Sequence, residues 1–154
     1  MKGLFIGSFD PFTIGHYNIL KQAEELFDVT ICIARNPNKQ RFFSELSCAN
    51  AIKSIDGKKR EIILSDKLTT DIMNEFNCTH LIRGFRNTSD LIYEDLLLKQ
   101  YKLLNSQIKV IYLTSDSAIS SSFVRELYTR EKDISKYVPY NVSLLKKSNM
   151  SIRY

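Results

Sequence analysis

The sequence predicts an α/β fold, a single Rossmann-like, doubly wound domain around a five-stranded parallel sheet, spanning residues 1–154. Three observations carry that expectation. Short apolar or β-branched runs alternate with segments whose apolar residues recur at helical spacing. Glycines and polar turn residues collect just after the strand-like runs. No internal repeat, low-complexity segment or linker divides the chain.

Taken in order, Gly3-Leu4-Phe5-Ile6 reads as a buried first strand ending at Gly7. From His16 onward, Ile19, Leu20, Ala23, Leu26 and Phe27 mark one face of a helix. Val29 to Ala34 is β-branched and apolar, a second strand. It opens into the polar turn Arg35-Asn36-Pro37-Asn38-Lys39-Gln40. Ser44 with Glu45 begins a helix to about Ile55, closed by Asp56-Gly57. Glu61 to Leu64 is the third strand, and Leu68, Ile72, Met73 and Phe76 share a helical face. His80-Leu81-Ile82 is a short fourth strand, followed by Arg83-Gly84. Asp90 to Leu104 is a long leucine-rich helix, and Lys109 to Leu113 is the fifth strand. Ser121 or Ser122 caps a helix to about Thr129, and a short helical region follows Pro139.

Composition narrows the function. Hydrophobic content of 44% and charged content of 25% are those of a globular protein. No apolar run reaches membrane-spanning length and the N-terminus has no signal-peptide core, so a cytoplasmic protein with no membrane partner is expected. Cys32, Cys48 and Cys78 form no CxxC pair; Cys32 and Cys78 sit in or beside apolar segments and read as buried thiols. With only His16 and His80 beside them, no metal cage is expected. A net charge of +5 fits nucleic acid or substrates bearing several phosphates. The basic residues are scattered apart from Lys58-Lys59-Arg60 and Lys146-Lys147, with neither RNP aromatics nor zinc-finger spacing. No nucleic-acid partner is expected.

Chemistry gathers in the loops after four of the strands. Gly7-Ser8-Phe9-Asp10-Pro11-Phe12-Thr13-Ile14-Gly15-His16 leads from the first strand into the first helix, where unpaired N–H groups suit a phosphate. His16 falls in the first turn of that helix. Lys39 lies in the turn after the second strand, where an ammonium could swing over a reacting phosphate. Arg83-Gly84-Phe85-Arg86 offers two planar guanidinium groups after the fourth strand. Tyr93-Glu94 follows, at the start of the long helix. Ser117-Ala118-Ile119-Ser120-Ser121-Ser122-Phe123-Val124-Arg125 brings three hydroxyls to another helix start. Each stretch alone also reads as an ordinary turn or cap; their clustering on one side of the sheet is what points to a polyphosphate.

The ordered set GSFDPFTIGH, NPNK, LIRGFR, YE and SAISSSFVRE resembles the bacterial phosphopantetheine adenylyltransferases, from Met1 to about Val142. GSFDPFTIGH is similar to the (T/H)xGH signature of the wider nucleotidyltransferase superfamily, and IRGxR followed by YE narrows the likeness. Thr13 stands where several sister branches carry a second histidine. The resemblance implies transfer of the adenylyl group of ATP to 4'-phosphopantetheine, giving dephospho-coenzyme A and pyrophosphate. It also implies Mg²⁺ accompanying ATP and a homo-oligomer, usually a hexamer.

It further implies residue roles. Ser8 would contact the acceptor phosphate and the ATP α-phosphate, and His16 would stabilise the α-phosphate in the transition state. Lys39 would help bind both reacting phosphates, and Arg83 the acceptor phosphate. Phe9, Gly84, Phe85 and Arg86 would hold ATP, with Arg86 near the β- and γ-phosphates and Glu94 on the ribose side. Asp116, Ser117, Ala118, Ile119, Ser120, Ser121 and Ser122 would surround the adenine and triphosphate. Leu68 and Thr69 would line the pantetheine arm. Two departures from the family pattern stand out: Ser47-Cys48 where Glu-Arg is common, and Tyr101 where an asparagine usually binds pantetheine. The alternatives are a sister nucleotidylyltransferase with another phosphate acceptor, or a non-catalytic nucleotide-binding module. His16, Lys39 and Arg83 together argue for catalysis. A phosphate monoester, with a second pKa of about 6, needs no general base at neutral pH, and the chain offers no nucleophilic triad or carboxylate pair.

Overall fold

The computed structural model describes residues 1–148. Five strands, β1 (Lys2–Gly7), β2 (Asp28–Ala34), β3 (Glu61–Ser65), β4 (His80–Phe85) and β5 (Lys109–Thr114), form one sheet in the order β3-β2-β1-β4-β5. Every pairing is parallel. The helices are α1 (Ile14–Leu26), α2 (Glu45–Lys53), α3 (Thr69–Glu75), α4 (Thr88–Leu104) and α5 (Ser121–Thr129). No helix among the described residues is long and apolar enough to cross a membrane.

Side-chain alternation sends each strand's residues to two separate cores. Phe5, Val29, Ile31, Ile33 and Ile82 pack with Ile19, Leu20, Ala23, Ile52 and Val124 of α1, α2 and α5. Leu4, Ile6, Cys32 and Leu81 pack on the other face with Ile72 and Met73 of α3 and with Leu98 and Tyr101 of α4. The sheet is therefore covered on both faces, as parallel strands require. The chain runs outward from β1 to β3 and returns through α3 to place β4 beside β1. The crevice at the carboxyl ends of β1 and β4 is the switch point of the topology, where open α/β sheets bind ligands.

Several boundaries differ from the expected ones. The fourth strand does not stop before Arg83: Arg83, Gly84 and Phe85 pair with Tyr112, Leu113 and Thr114 of β5. Glycine at position 84 makes room for α1, since a Cβ there would come within 3.2 Å of the Ile19 side chain. The long helix begins at Thr88, capped by Asn87, whose side chain accepts from the Asp90 N–H. The cap of α5 is Ser120, one residue ahead of the hydroxyls expected to serve. The helix expected to reach Ile55 ends at Lys53, and a 3-10 turn over Ile55–Gly57 follows. Beyond Pro139 lies another 3-10 turn, Val142–Leu144. Cys32, Cys48 and Cys78 are buried and unbridged, with burial pushing the Cys32 and Cys48 thiols up to about 11. On α4, Leu91, Ile92, Leu96, Leu103 and Leu104 stand exposed.

Candidate active site

At the switch point the β1–α1 loop folds over an aromatic floor. Phe5, Phe9 and Phe12 meet edge to face, at 5.1 Å for Phe5–Phe9 and 5.2 Å for Phe9–Phe12. Phe9 adopts a positive φ of 44°, and its ring lies where a Cβ on Gly7 would be, 2.9 Å from the Phe9 ring. Glycine at position 7 is thus what lets Phe9 tuck under the loop. The Asp10–Pro11 peptide is cis.

The loop is held by its main chain. Ser8 and Phe9 carbonyls accept from the Arg41 guanidinium at 2.6 and 3.3 Å. The Asp10 carbonyl accepts from Arg125 at 2.7 Å, Pro11 from the Ser121 hydroxyl at 2.8 Å and Phe12 from the Tyr140 phenol at 2.6 Å. The buried Asp10 carboxylate in turn accepts from the Phe42 and Phe43 N–H groups, both at 2.8 Å. Because a peptide is planar, fixing the Ser8, Phe9 and Pro11 carbonyls fixes the direction of the Phe9, Asp10 and Phe12 N–H groups.

His16 occupies the third position of α1. Its Nδ1 accepts the Thr13 N–H at 2.9 Å, so the ring proton sits on Nε2. The imidazole packs against Phe9 and Phe12, with centroids 5.0 and 5.3 Å away. Burial, and then the charge of Arg86, lowers its pKa to about 4. At neutral pH His16 is therefore an uncharged donor aimed by its own helix cap. Gly15 beside it allows close approach of the β5–α5 loop, since a Cβ would lie 3.3 Å from the Ile119 carbonyl oxygen.

A cavity of about 460 Å³ opens here. Of the residues expected at the site, Ser8, Phe9, His16, Arg83, Gly84, Phe85, Arg86, Glu94, Ser117, Ile119, Ser120, Ser121 and Ser122 line it. Asp90, Tyr93 and Arg125 join them. Asp116 and Ala118 belong to the same loop but not to the lining. Lys39 lies in a neighbouring open depression with Arg35, Gln40 and Arg41, at the end of β2. Leu68 is exposed at the start of α3, while the Thr69 and Tyr101 hydroxyls meet at 3.3 Å between α3 and α4.

Arg83 and Glu94, which the sequence resemblance places on separate ligands, touch each other: Arg83 Nε lies 3.1 Å from both carboxylate oxygens and Nη2 2.7 Å from one of them. Nη1 donates to the Ile6 carbonyl at 3.4 Å, and the pair neutralises a buried carboxylate. Arg86 is half-exposed and lies 3.5 Å from Asp90.

A profile of cytidylyltransferase-like proteins matches residues 4–127. A phosphopantetheine adenylyltransferase of Streptococcus pneumoniae (strain 70585) is 40% identical over 148 residues, covering 91% of both chains. Another, from Streptococcus pyogenes serotype M2 (strain MGAS10270), is 38% identical over 147 residues, covering 91% of this chain and 90% of its own. The chain belongs to the phosphopantetheine adenylyltransferase family. It is therefore a nucleotidyltransferase. Among solved structures, the nicotinic acid mononucleotide adenylyltransferase of Plasmodium falciparum, complexed with APC, has a TM-score of 0.58 at 20% identity, covering 89% of both chains. That likeness concerns the fold.

Within a phosphopantetheine adenylyltransferase frame, four supporting residues escaped the sequence reading: Asp10, Arg41, Arg125 and Tyr140. Asp10 and Arg125 fall within stretches that point to a phosphate, Asp10 as a carboxylate buried among Phe9, Pro11 and Phe12, whereas Arg41 and Tyr140 belong to no motif. At the departure Ser47-Cys48, the Ser47 hydroxyl donates to the Ser44 carbonyl and accepts from the Lys146 N–H, tying α2 to the C-terminal segment.

Proposed function

We propose that this chain transfers the adenylyl group of ATP to 4'-phosphopantetheine, releasing pyrophosphate and forming dephospho-coenzyme A, as a single cytoplasmic domain. The observation that carries this reading is the neutral, pre-aimed His16 at the switch-point cavity. In the reaction an acceptor phosphate oxygen attacks the α-phosphorus and the bond to the bridging oxygen of pyrophosphate breaks. No proton has to be removed, because the monoester is already anionic at neutral pH. The enzyme's task is alignment and stabilisation of charge on the α-phosphate oxygens. His16 Nε2–H donates to such an oxygen, with Ser8 and Phe9 beside it. Lys39 reaches across to the reacting phosphates. Arg83, oriented by Glu94, takes the acceptor phosphate, and Arg86 takes the β- and γ-phosphates. The Ser120–Ser122 start of α5 adds further donors for the triphosphate.

No group of three or more His, Cys, Asp or Glu among the described residues is arranged as a metal cage. The cavity carboxylates, Asp90 and Glu94, face arginines. With both carboxylates engaged by arginines, Mg²⁺ would be carried in on the ATP phosphates, where it would neutralise triphosphate charge. Leu68, Thr69 and Tyr101 form the wall along the pantetheine arm. The exposed leucines of α4 support a homo-oligomer, a hexamer by family likeness. Pyrophosphate release measured with ATP and a panel of phosphate acceptors tests the reading. 4'-Phosphopantetheine should exceed nicotinate mononucleotide and glycerol phosphate by at least about 10²-fold in kcat/KM. A different preferred acceptor would replace it, and nucleotide binding without turnover would favour a binding module.

A further inference from the structure

Arg41 lies outside every motif, yet its surroundings are those of a working part. It stands where the exposed turn bearing Lys39 enters the core at the fully buried Phe43. Its side chain is 11% exposed, low for an arginine. Nη1 donates to the Ser8 carbonyl and Nη2 to that of Phe9, while Nε reaches back to the Phe43 carbonyl at 3.1 Å. Nη2 also lies 4.0 Å from the Asp10 carboxylate and 3.7 Å from Cys48 Sγ on α2. One guanidinium thus joins the root of the Lys39 turn to two carbonyls of the loop that carries Ser8 and aims His16. Only one residue separates Arg41 from Lys39, so their Cα atoms are at most about 7 Å apart. The turn itself has little else, with Lys39 N–H on the Asn36 carbonyl and Asn38 N–H on the Asn36 side chain.

We propose that Arg41 is a positioning residue for adenylyl transfer, anchoring the Lys39 turn to the Ser8–Phe9 main chain so that Lys39 and His16 address the same phosphate. The inference rests on the adenylyl-transfer reading for its kinetics, but the anchoring is a property of the ligand-free protein. The competing account is purely structural: Arg41 would offset the buried Asp10 charge, and its loss would weaken the fold without reference to Lys39. The two accounts differ in coupling. Acting through Lys39, Arg41 matters little once Lys39 is gone. Position 48 also faces the same corner, so a guanidinium supplied from α2 can stand in for the one lost at 41.

The test is a double-mutant cycle on the full chain. Arg41→Ala should lower kcat about tenfold to 100-fold with ATP and 4'-phosphopantetheine. Adding Arg41→Ala to Lys39→Ala should cost less than about twofold more. Arg41→Ala/Cys48→Arg should regain at least about fivefold in kcat. Should Arg41→Ala fail to fold, Arg41→Lys keeps a charge beside Asp10 while losing the planar fork, and enters the same cycle. Losses that simply multiply in the double variant overturn the proposal. Amide exchange of segments 8–12 and 36–42 in the ligand-free protein supplies a readout independent of turnover. It should quicken at least about fivefold in the Arg41 variant, and unchanged exchange overturns the anchoring. A wild-type enzyme inactive with this substrate pair would instead overturn the functional reading, and exchange alone would then judge Arg41.

Discussion

Five consecutive carbonyls of the β1–α1 loop, Ser8 to Phe12, accept from side chains of three distant segments. The stretch Asn36 to Gln40, after the adjacent strand, is exposed throughout and is held by bonds within itself. Both follow strand ends in one sheet, so the contrast is not one of location. It follows from what each must do. The α-phosphate is stabilised best by donors that need no rearrangement when charge develops. In the proposed reaction a second substrate has to enter, meet the first and leave as product, and a lysine on an exposed turn held at its Arg41 root can follow it. In that proposed reaction the framed loop would supply the fixed half of the chemistry and the exposed turn the adjustable half.

The contrast can be broken in several ways. The largest effect is expected at the centre of the frame. His16→Ala should lower kcat by about 10²-fold to 10³-fold while the calorimetric Kd for ATP changes less than about threefold. A near-normal kcat would remove His16 from the chemistry. The same residue should leave a mark on stability. Its folded pKa of about 4 lies below the usual 6.5, so the unfolded chain alone takes up a proton as the pH drops between these values. Stability is complete above pH 6.5 and is lost toward pH 4, by roughly 2 kcal/mol between pH 7 and 5. Denaturant titrations of wild type and His16→Gln at the two pH values check this, with the variant expected to lack that share of the loss.

Next is the buttress. Asp10→Ala strands the Phe42 and Phe43 N–H groups and should cost about 2–4 kcal/mol, a fall in Tm of roughly 5–12 °C by calorimetry, along with activity. Lys39→Ala should do the reverse, lowering kcat about tenfold with Tm unchanged within about 1 °C. A Lys39 variant that melts early would mean the turn is as structural as the loop, and the distinction would fail. The smallest effect is expected on the acceptor arm. Tyr101→Phe removes one hydroxyl and should raise the acceptor KM about threefold to fivefold, the scale of a ~1 kcal/mol hydrogen bond. An unchanged KM would leave that hydroxyl to its contact with Thr69.

Local pattern made the alternation of strands and helices legible, and with it the loops that could meet a phosphate. The apolar runs at β1, β2 and β5 and the helical spacing from Ile19 to Phe27 are properties of neighbours in sequence. The continuation of β4 was not legible, because Arg83-Gly84 has the composition of a turn. Its strand geometry comes from Tyr112 and Leu113, nearly thirty residues away. The site divides the same way. His16, Arg83 and Ser120 to Ser122 announce themselves through glycines and hydroxyls at helix starts. Arg41, Arg125 and Tyr140 work on carbonyls 33, 115 and 128 positions distant, and such partnerships have no spacing to read. The Arg83–Glu94 pairing was hidden for another reason: each residue type suits a substrate as well as it suits the other.

The carbonyl frame also bears on how this protein can drift. Every amino acid carries the same main-chain oxygen, so the grip itself asks nothing of the loop's own side chains. The selective burden passes to the residues that do the gripping, on α5, at the root of the Lys39 turn and near the C-terminus. A lineage that loses one grip must supply another from nearby, leaving correlated exchanges at distant positions while the loop they serve looks untouched.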